Sequence, residues 1–323
     1  MVGNMQPKVS VLLPAYHGAA FLDETIQSVL SQTFKDFELI IIDDHSTDNT
    51  DEVVKKYLDD SRIVYHKNPQ NIGLTGNWNK CLEMARGEYI KFICSDDKFH
   101  PQILEKFVPV LDQHPDVSLV GCFKEEFGAQ SMVWEIPFHY KQPGKKVILE
   151  TIKNYNYLGE PTCVMFRKEA IKIVGGFKDY KWIIDWEMWV RLLTIGDCFI
   201  VPERLCFTRN HPGQVTKSVW LNYTHFFEEY SLFGNIRKGT YNFSFTDREL
   251  AGFDYFLNHS RWRIYNTIPD TLRSLHKKRN YKIFRRIISL AREEKYVGTL
   301  VRIFAERIFL KFPKISKRMY PNK

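Results

Sequence analysis

Two pairs of adjacent carboxylates are the first candidates for chemistry: Asp43-Asp44, closing the run FELIIIDD, and Asp96-Asp97, closing YIKFICSDD. Like charges this close raise each other's proton affinity unless a positive group lies between them. An apolar, strand-like run that ends on two acids therefore asks for a cationic partner, and a divalent ion held by carboxylate oxygens is one. Each pair also has a local reading. Asp43-Asp44 could cap the helix that follows HSTDNT, and Asp96-Asp97 could be a solvated turn. A third such run, VSVLLPAY, ends at Tyr16, whose ring offers either a stacking face or ordinary packing. Asp185 lies between Ile184 and Trp186, where an idle carboxylate is costly, although it could also N-cap the helix DWEMWVRLL.

The elements that must position these residues alternate along the first third of the chain. VSVLLPAY (9–16), FELIIIDD (37–44), IVYHK (63–67), YIKFICSDD (89–97) and VSLVGCF (117–123) read as strands. Between them, FLDETIQSVLSQ (21–32) has apolar residues at 21, 22, 26, 29 and 30, the helical spacing, and LTGNWNKCLEMA (74–85) reads as a second helix. Continuous apolar strands separated by amphipathic helices predict an α/β fold with a mostly parallel sheet covered on both faces. In such sheets ligands bind beyond the carboxyl ends of the strands. Tyr16, Asp43-Asp44 and Asp96-Asp97 all stand at such ends, so parallel strands would gather them along one edge.

The glycine devices that usually bind phosphates in α/β folds are absent. The turn after the first strand is PAYHGAAF, with neither G-x-G-x-x-G nor G-x-x-x-x-G-K-S/T. This disfavours a dinucleotide dehydrogenase, a P-loop enzyme and a sugar nucleotidyltransferase, and leaves a bound diphosphate to be neutralised by a metal ion. The six cysteines are scattered singly without a C-x-x-C pair, which suits reduced thiols in a cytoplasmic protein. MVGNMQPKVS lacks a signal pattern, and no run approaches the roughly 18 apolar residues of a membrane span.

The blocks quoted above, with NIGLTGNWNKCLEMARGEYIKFICSDD, YLGEPTCVMFRKEAIKIVGGF (157–177), IIDWEMWVRLL (183–193) and RNHPGQVTKS (209–218), resemble the family 2 glycosyltransferases of the GT-A fold across residues 8–218. The resemblance implies an inverting, metal-dependent transfer from a nucleotide sugar, most simply a UDP-sugar. It places Pro14, Ala15 and Tyr16 against the donor's base, and Asp44 on the uracil N–H. Ser95-Asp96-Asp97 stands in place of a D-x-D motif, Asp96 toward the ribose and Asp97 on Mn2+ or Mg2+, with Ser at the first position as a departure. Asp185 matches the general base, although Ile184 replaces the acidic residue that commonly precedes it. Glu187 is a second candidate base, close to the acceptor, and Glu160 falls where family members meet the acceptor. His211 matches a position that ligates the metal or touches the diphosphate, and can equally be a loop histidine without function.

The chain carries a formal charge of +8, but residues 271–323 alone carry +13, leaving 1–270 at −5. This asymmetry argues for two functions in one chain; the resemblance, which ends near residue 218, implies a GT-A domain over 1–218, followed by a helical, basic region over 219–323. In TLVRIFAERIFLKF (299–312), Arg302, Glu306, Arg307 and Lys311 form a narrow polar stripe on an apolar helix. Such a helix suits an anionic membrane surface bearing a lipid-linked or glycan acceptor, or else packs on its own catalytic domain. No recognisable module points to nucleic acid. The expected setting is polysaccharide or glycolipid assembly at the cytoplasmic face of a membrane. A non-catalytic nucleotide-binding relative is the rival from another class.

Overall fold

The leucine-, isoleucine- and valine-rich runs Val9–Ala15 (β1) and Phe37–Asp43 (β2) are buried along almost their whole length, as strands covered on both faces must be. They pair in parallel, Ala15 opposite Asp43, so the two strand tips lie side by side. The computed structural model describes residues 6–129, 131–154, 156–214, 224–241, 243–266 and five positions between 281 and 289. The expected helix over 299–312 lies outside the described residues.

Ile63–Lys67 (β3), Tyr89–Phe92 (β4), Lys98–Phe99 (β5), Val117–Gly128 (β6), Met132–Trp134 (β7), Tyr140–Gln142 (β8), Val164–Arg167 (β9) and Asp197–Asn210 (β10) complete a ten-stranded sheet. Its main path runs β3-β2-β1-β4-β9-β6-β10-β5, with β7 on β6 and β8 on β10. β1 to β4, β6 and β10 point the same way, and β9 enters antiparallel between β4 and β6. The carboxyl ends of these six strands therefore share one edge, as the α/β pattern predicts. One boundary differs from the expectation. β4 stops at Phe92, because the chain turns before the acids, with Asp97 N–H donating to Cys94 O at 3.1 Å. Asp96 and Asp97 thus sit on a tight turn beyond the strand.

Helices Leu22–Leu30 (α1), Thr50–Lys55 (α2), Gly73–Met84 (α3), Ile103–Gln113 (α4), Gly144–Asn154 (α5), Lys168–Val174 (α6) and Ile184–Leu193 (α7) cover the sheet. The buried face of α1, Leu22, Thr25, Ile26 and Val29, has the expected helical spacing. Thr224–Arg237 (α8) and Asp247–Asn266 (α9) follow. Leu232, Phe233, Ile236, Tyr241 and Phe253 from this part join the same apolar core as the sheet. The boundary expected at residue 218 falls in 215–223, outside the described residues. Among the described residues no helix is long and apolar enough to cross a membrane.

The edge opposite the acids is closed by a buried polar knot. Glu38 accepts from Ser10 Oγ at 2.5 Å and from Arg86 N and Nε at 2.8 Å, while Gly87 N donates to Ser10 Oγ at 2.7 Å. A Cβ at Gly87 would lie 2.4 Å from the Ser10 backbone nitrogen, so only glycine allows this approach. Gly252 in α9, by contrast, has open space where a Cβ would go. In urea titrations, Gly87→Ala should lower stability by about 2 kcal/mol or more. Gly252→Ala should raise it by about 0.5–1 kcal/mol through helix propensity.

Candidate active site

The turn after β4 is held from three sides. Thr25 Oγ1 of α1 donates to Asp97 O at 2.8 Å, Arg209 N of β10 donates to Asp97 Oδ1 at 2.9 Å, and Thr162 Oγ1 donates to Asp97 Oδ2 at 2.5 Å. Thr162 belongs to the short turn Pro161–Cys163 that leads into β9, and also accepts from Cys94 N at 3.1 Å. Below it lies Lys91 of β4, fully buried, its ammonium donating to the Thr162 and Val164 carbonyls. Burial lowers the proton affinity of that amine. The lone charge in the apolar run YIKFI was the one sequence signal of this support.

Asp97 is only 4% exposed. Burial first, and the Asp96 charge next, push its carboxyl well above the usual range, against the hydrogen bonds from Thr162 and Arg209. The Cys94 sulfur and carboxylate oxygens of Asp96 and Asp97 lie within 4.8 Å of one another. Burial and the two acids keep the Cys94 thiol protonated, so the donors on offer are carboxylate oxygens. Hard oxygen donors around a desolvated negative charge fit Mg2+ or Mn2+ better than a softer metal.

His211 stands beside this cluster but not within it. Its Nε2 is 3.0 Å from Asp96 Oδ2, and its Nδ1 accepts from Gly213 N at 3.2 Å, so both nitrogens are engaged. Arg209 is a strap: its guanidinium donates to Asp96 O and to Glu24 and lies between the Phe21 and Phe127 rings. Ser95 packs against Gly18, where a Cβ would come within 3.3 Å of its own. The first-strand loop and the acidic turn are thereby joined.

At the neighbouring strand tips, Pro14 is half-buried and Ala15 buried, and the Ala15 carbonyl accepts from Asp44 N at 2.8 Å. Tyr16 is 53% exposed and stacks on His17 at 4.1 Å, which leaves its other face open. Asp44 is buried. Its Oδ1 accepts from Ile72 N at 2.8 Å and Asn68 Nδ2 at 2.9 Å, and its Oδ2 from Gly73 N at 2.9 Å. It therefore holds the loop 68–73, with free acceptor capacity chiefly on Oδ2. Asp43 accepts from Ser46 N at 2.9 Å, and Lys67 lies 3.4 Å away. Neither acid makes the simple cap on α2 that the sequence allowed. Asn71 Nδ2 donates to Asp44 O, and Asn79 pairs with the Phe177 backbone, so both shape loops.

Asp185 stands in the first turn of α7, its Oδ1 accepting from Trp186 N at 2.6 Å. Burial, then the nearby Glu160 charge, raise its carboxyl to about 7. Glu160, on the turn that also carries Thr162, is clamped by Lys124 of β6, with Nζ 2.7 and 2.8 Å from its two oxygens. Burial would raise the Glu160 carboxyl, but Lys124 more than offsets this and lowers it. The Glu160 charge acts on Asp97 as well as on Asp185, so the three carboxylates form one electrostatic unit.

Glu187 does not belong to that unit. It is fully buried, bonded to Arg191 Nε at 2.9 Å, paired with Lys178 at 2.8 Å, and accepts from Tyr241 Oη at 3.2 Å. Two cations and a phenol occupy its oxygens. The helix that carries Asp185 has a further support: the Glu228 carboxylate of α8 accepts from Lys181 N, Trp182 N and Ile183 N at 2.8 to 3.3 Å. Nothing local in the sequence marks Glu228, Lys124 or Thr162, because each acts across a tertiary contact.

An α/β sheet whose parallel strand tips collect carboxylates, with one further acid at a helix start, offers oxygen donors for a cation and a separate proton acceptor. The chain belongs to glycosyl transferase family 2, whose profile matches residues 10–175. An uncharacterised glycosyltransferase of Methanocaldococcus jannaschii is 37% identical over 239 residues, covering 69% of this chain and 80% of that protein. Among solved structures, residues 1–349 of Staphylococcus aureus TarS in complex with UDP-GlcNAc match with a TM-score of 0.65 at 18% identity, over 93% of this chain and 82% of that one. This chain spans only 43% of a longer TarS structure. The mannosyltransferase PcManGT of Pyrobaculum calidifontis, in complex with GDP-Man and Mn2+, matches with a TM-score of 0.57 at 13% identity, over 96% and 89% of the two chains. The chain is a glycosyltransferase.

The raised Asp185 carboxyl has a stability consequence. Its ordinary value is 3.8 and its folded value about 7, so between these the folded chain binds more protons than the unfolded one. Stability is therefore lost as pH rises from about 4 to about 7. Asp185→Asn removes this loss. Its melting temperature should draw level with and then exceed that of the wild type across the window, reaching a gain on the order of 2–4 kcal/mol above it. Parallel thermal melts from pH 4 to 8 measure this, and a constant difference would contradict it.

Proposed function

We propose that the chain is an inverting, divalent-cation-dependent glycosyltransferase that moves a sugar from a nucleotide sugar, with UDP-sugars preferred, onto a hydroxyl of a glycan or lipid-linked acceptor. The observation that carries this reading is the buried turn bearing Asp96 and Asp97, held by Thr162 of the same short segment whose Glu160 charge acts on both Asp97 and Asp185. Support comes also from TarS and PcManGT, whose structures hold UDP-GlcNAc, and GDP-Man with Mn2+.

In this reading Tyr16 stacks on the base with its open face, and the free capacity of Asp44 Oδ2 accepts the base N–H. Asp96 takes the ribose, its other contact being His211. Asp97, with Asp96, holds the cation. Bound there, Mn2+ or Mg2+ would neutralise the charge that develops on the departing diphosphate. Asp185 removes the acceptor's proton as that oxygen attacks the anomeric carbon, and the bond to the diphosphate oxygen breaks on the opposite face. A carboxylate near pH 7 is suited to this, since it is largely ionised in use yet basic enough to take the proton. Burial keeps it so.

The setting we infer is cell-surface polysaccharide assembly at the cytoplasmic face of a membrane, with the basic segment 271–323 on anionic lipid. Three measurements test the reading. In a screen of nucleotide sugars, transfer or donor hydrolysis should appear with Mn2+ and fall at least tenfold with EDTA. Its kcat/KM should climb with pH through about 7. Asp185→Asn should lose transfer by 100-fold or more while binding UDP within about threefold of wild type. A variant that transfers normally, or no response to any donor with metal present, would remove the assignment.

A further inference from the structure

Next to the Glu160–Lys124 pair, β7 turns an apolar ledge to solvent: Met132 and Trp134 are each 48% exposed. β7 pairs antiparallel with β6, Trp134 opposite Lys124 and Met132 opposite Glu126. Directly opposed residues, and those two apart, project from the same face of a sheet, so these four side chains share one surface. Lys124 ties that surface to the site. Its ammonium lies 5.3 Å from the centre of the Trp134 indole, grips both Glu160 oxygens, and stands 3.6 Å from Glu126. A solvent-exposed indole and a carboxylate–ammonium pair are thus contiguous, and Glu160 of that pair is near enough to Asp185 for its charge to act there.

We propose that Trp134 is the platform on which a pyranose ring of the acceptor stacks, with Glu160, Glu126 and Lys124 bonding its hydroxyls and one hydroxyl presented to Asp185. The inference rests on the transferase reading of Asp185. A pyranose carries an apolar C–H face and a rim of hydroxyls, which matches an aromatic face bordered by charged donors and acceptors. The surface selects against the other acceptor chemistries. A phosphate would meet two carboxylates and one ammonium, an unfavourable balance at short range. An acyl chain would cover the indole but desolvate the ion pair without replacing its hydrogen bonds.

Full-length protein labelled with 5-fluorotryptophan gives a direct test, with Trp134→Phe assigning the Trp134 resonance. Methyl β-D-glucopyranoside, its galacto and N-acetylglucosamine counterparts, inorganic phosphate and hexanoate would be titrated in the presence of UDP and Mn2+. The expected result is a saturable millimolar shift of the Trp134 signal with at least one pyranoside and none with phosphate or hexanoate. A shift with phosphate or hexanoate alone, or with no pyranoside, overturns the proposal. In transfer assays with the pyranoside that binds, Trp134→Ala should raise the acceptor KM at least tenfold with kcat changed less than threefold. Trp134→Phe should restore most of it, and equal KM values for the two variants would overturn the proposal. The Asp185→Asn protein should keep the Trp134 shift, so failure of the platform and failure of the transferase reading give different results.

Discussion

Burial of the Asp97 carboxylate beside Asp96 is the constraint around which this edge of the molecule is organised. Desolvation opposes the charge of a carboxylate so enclosed, and the adjacent acid opposes it further. The fold answers with a hydroxyl from Thr162 and an amide from Arg209, drawn from elements far apart in sequence. These donors orient the carboxylate without neutralising it. The remaining electrostatic demand is what a bound cation would meet, and the donors tie the positions of β4, β10 and the 161–163 turn to one another.

That turn has a second role. Glu160 at its start places a charge next to Asp185, while Thr162 holds Asp97, so displacement of three residues would disturb both acids together. Lys91 supports the turn from beneath, at the cost of a buried ammonium met by two carbonyl oxygens and the Phe99 and Phe107 rings. A buried lysine without a carboxylate partner is expensive. Its place below the acids suggests why the expense is kept: apolar side chains cannot hold two carbonyls in position.

The helices after residue 223 also take part in the site's architecture. Glu228 receives the three backbone N–H groups leading into α7, and Tyr241 helps close the cluster that Arg191 and Glu187 of that helix form with Lys178. These N–H groups lie in the irregular segment that enters the helix, where no ladder supplies partners, and a buried carboxylate across the interface provides the acceptors. Asp185 is thus positioned by a segment well beyond the 10–175 region that the family profile covers.

The alternation of apolar runs and helical spacings was enough to predict the α/β class, the shared edge of strand tips and the acids along it, because burial on two faces and helical periodicity leave local marks in composition. Tyr16, Asp44, Asp96, Asp97 and Asp185 were legible for a related reason: charged or aromatic residues ending or interrupting apolar runs are conspicuous one-dimensional anomalies. Their partners were not. Whether Glu187 faced solvent or an arginine, whether His211 met a neighbour or a loop, and which lysine would hold Glu160 depended on contacts between residues separated by tens of positions. Even the tip of β4 was decided by a turn whose hydrogen bonds come from α1, β10 and the 161–163 segment. The sequence determined which side chains are costly to bury and roughly where; the tertiary structure alone decided which of those costs are met internally and which remain for a ligand, since that depends on through-space distance and solvent exclusion.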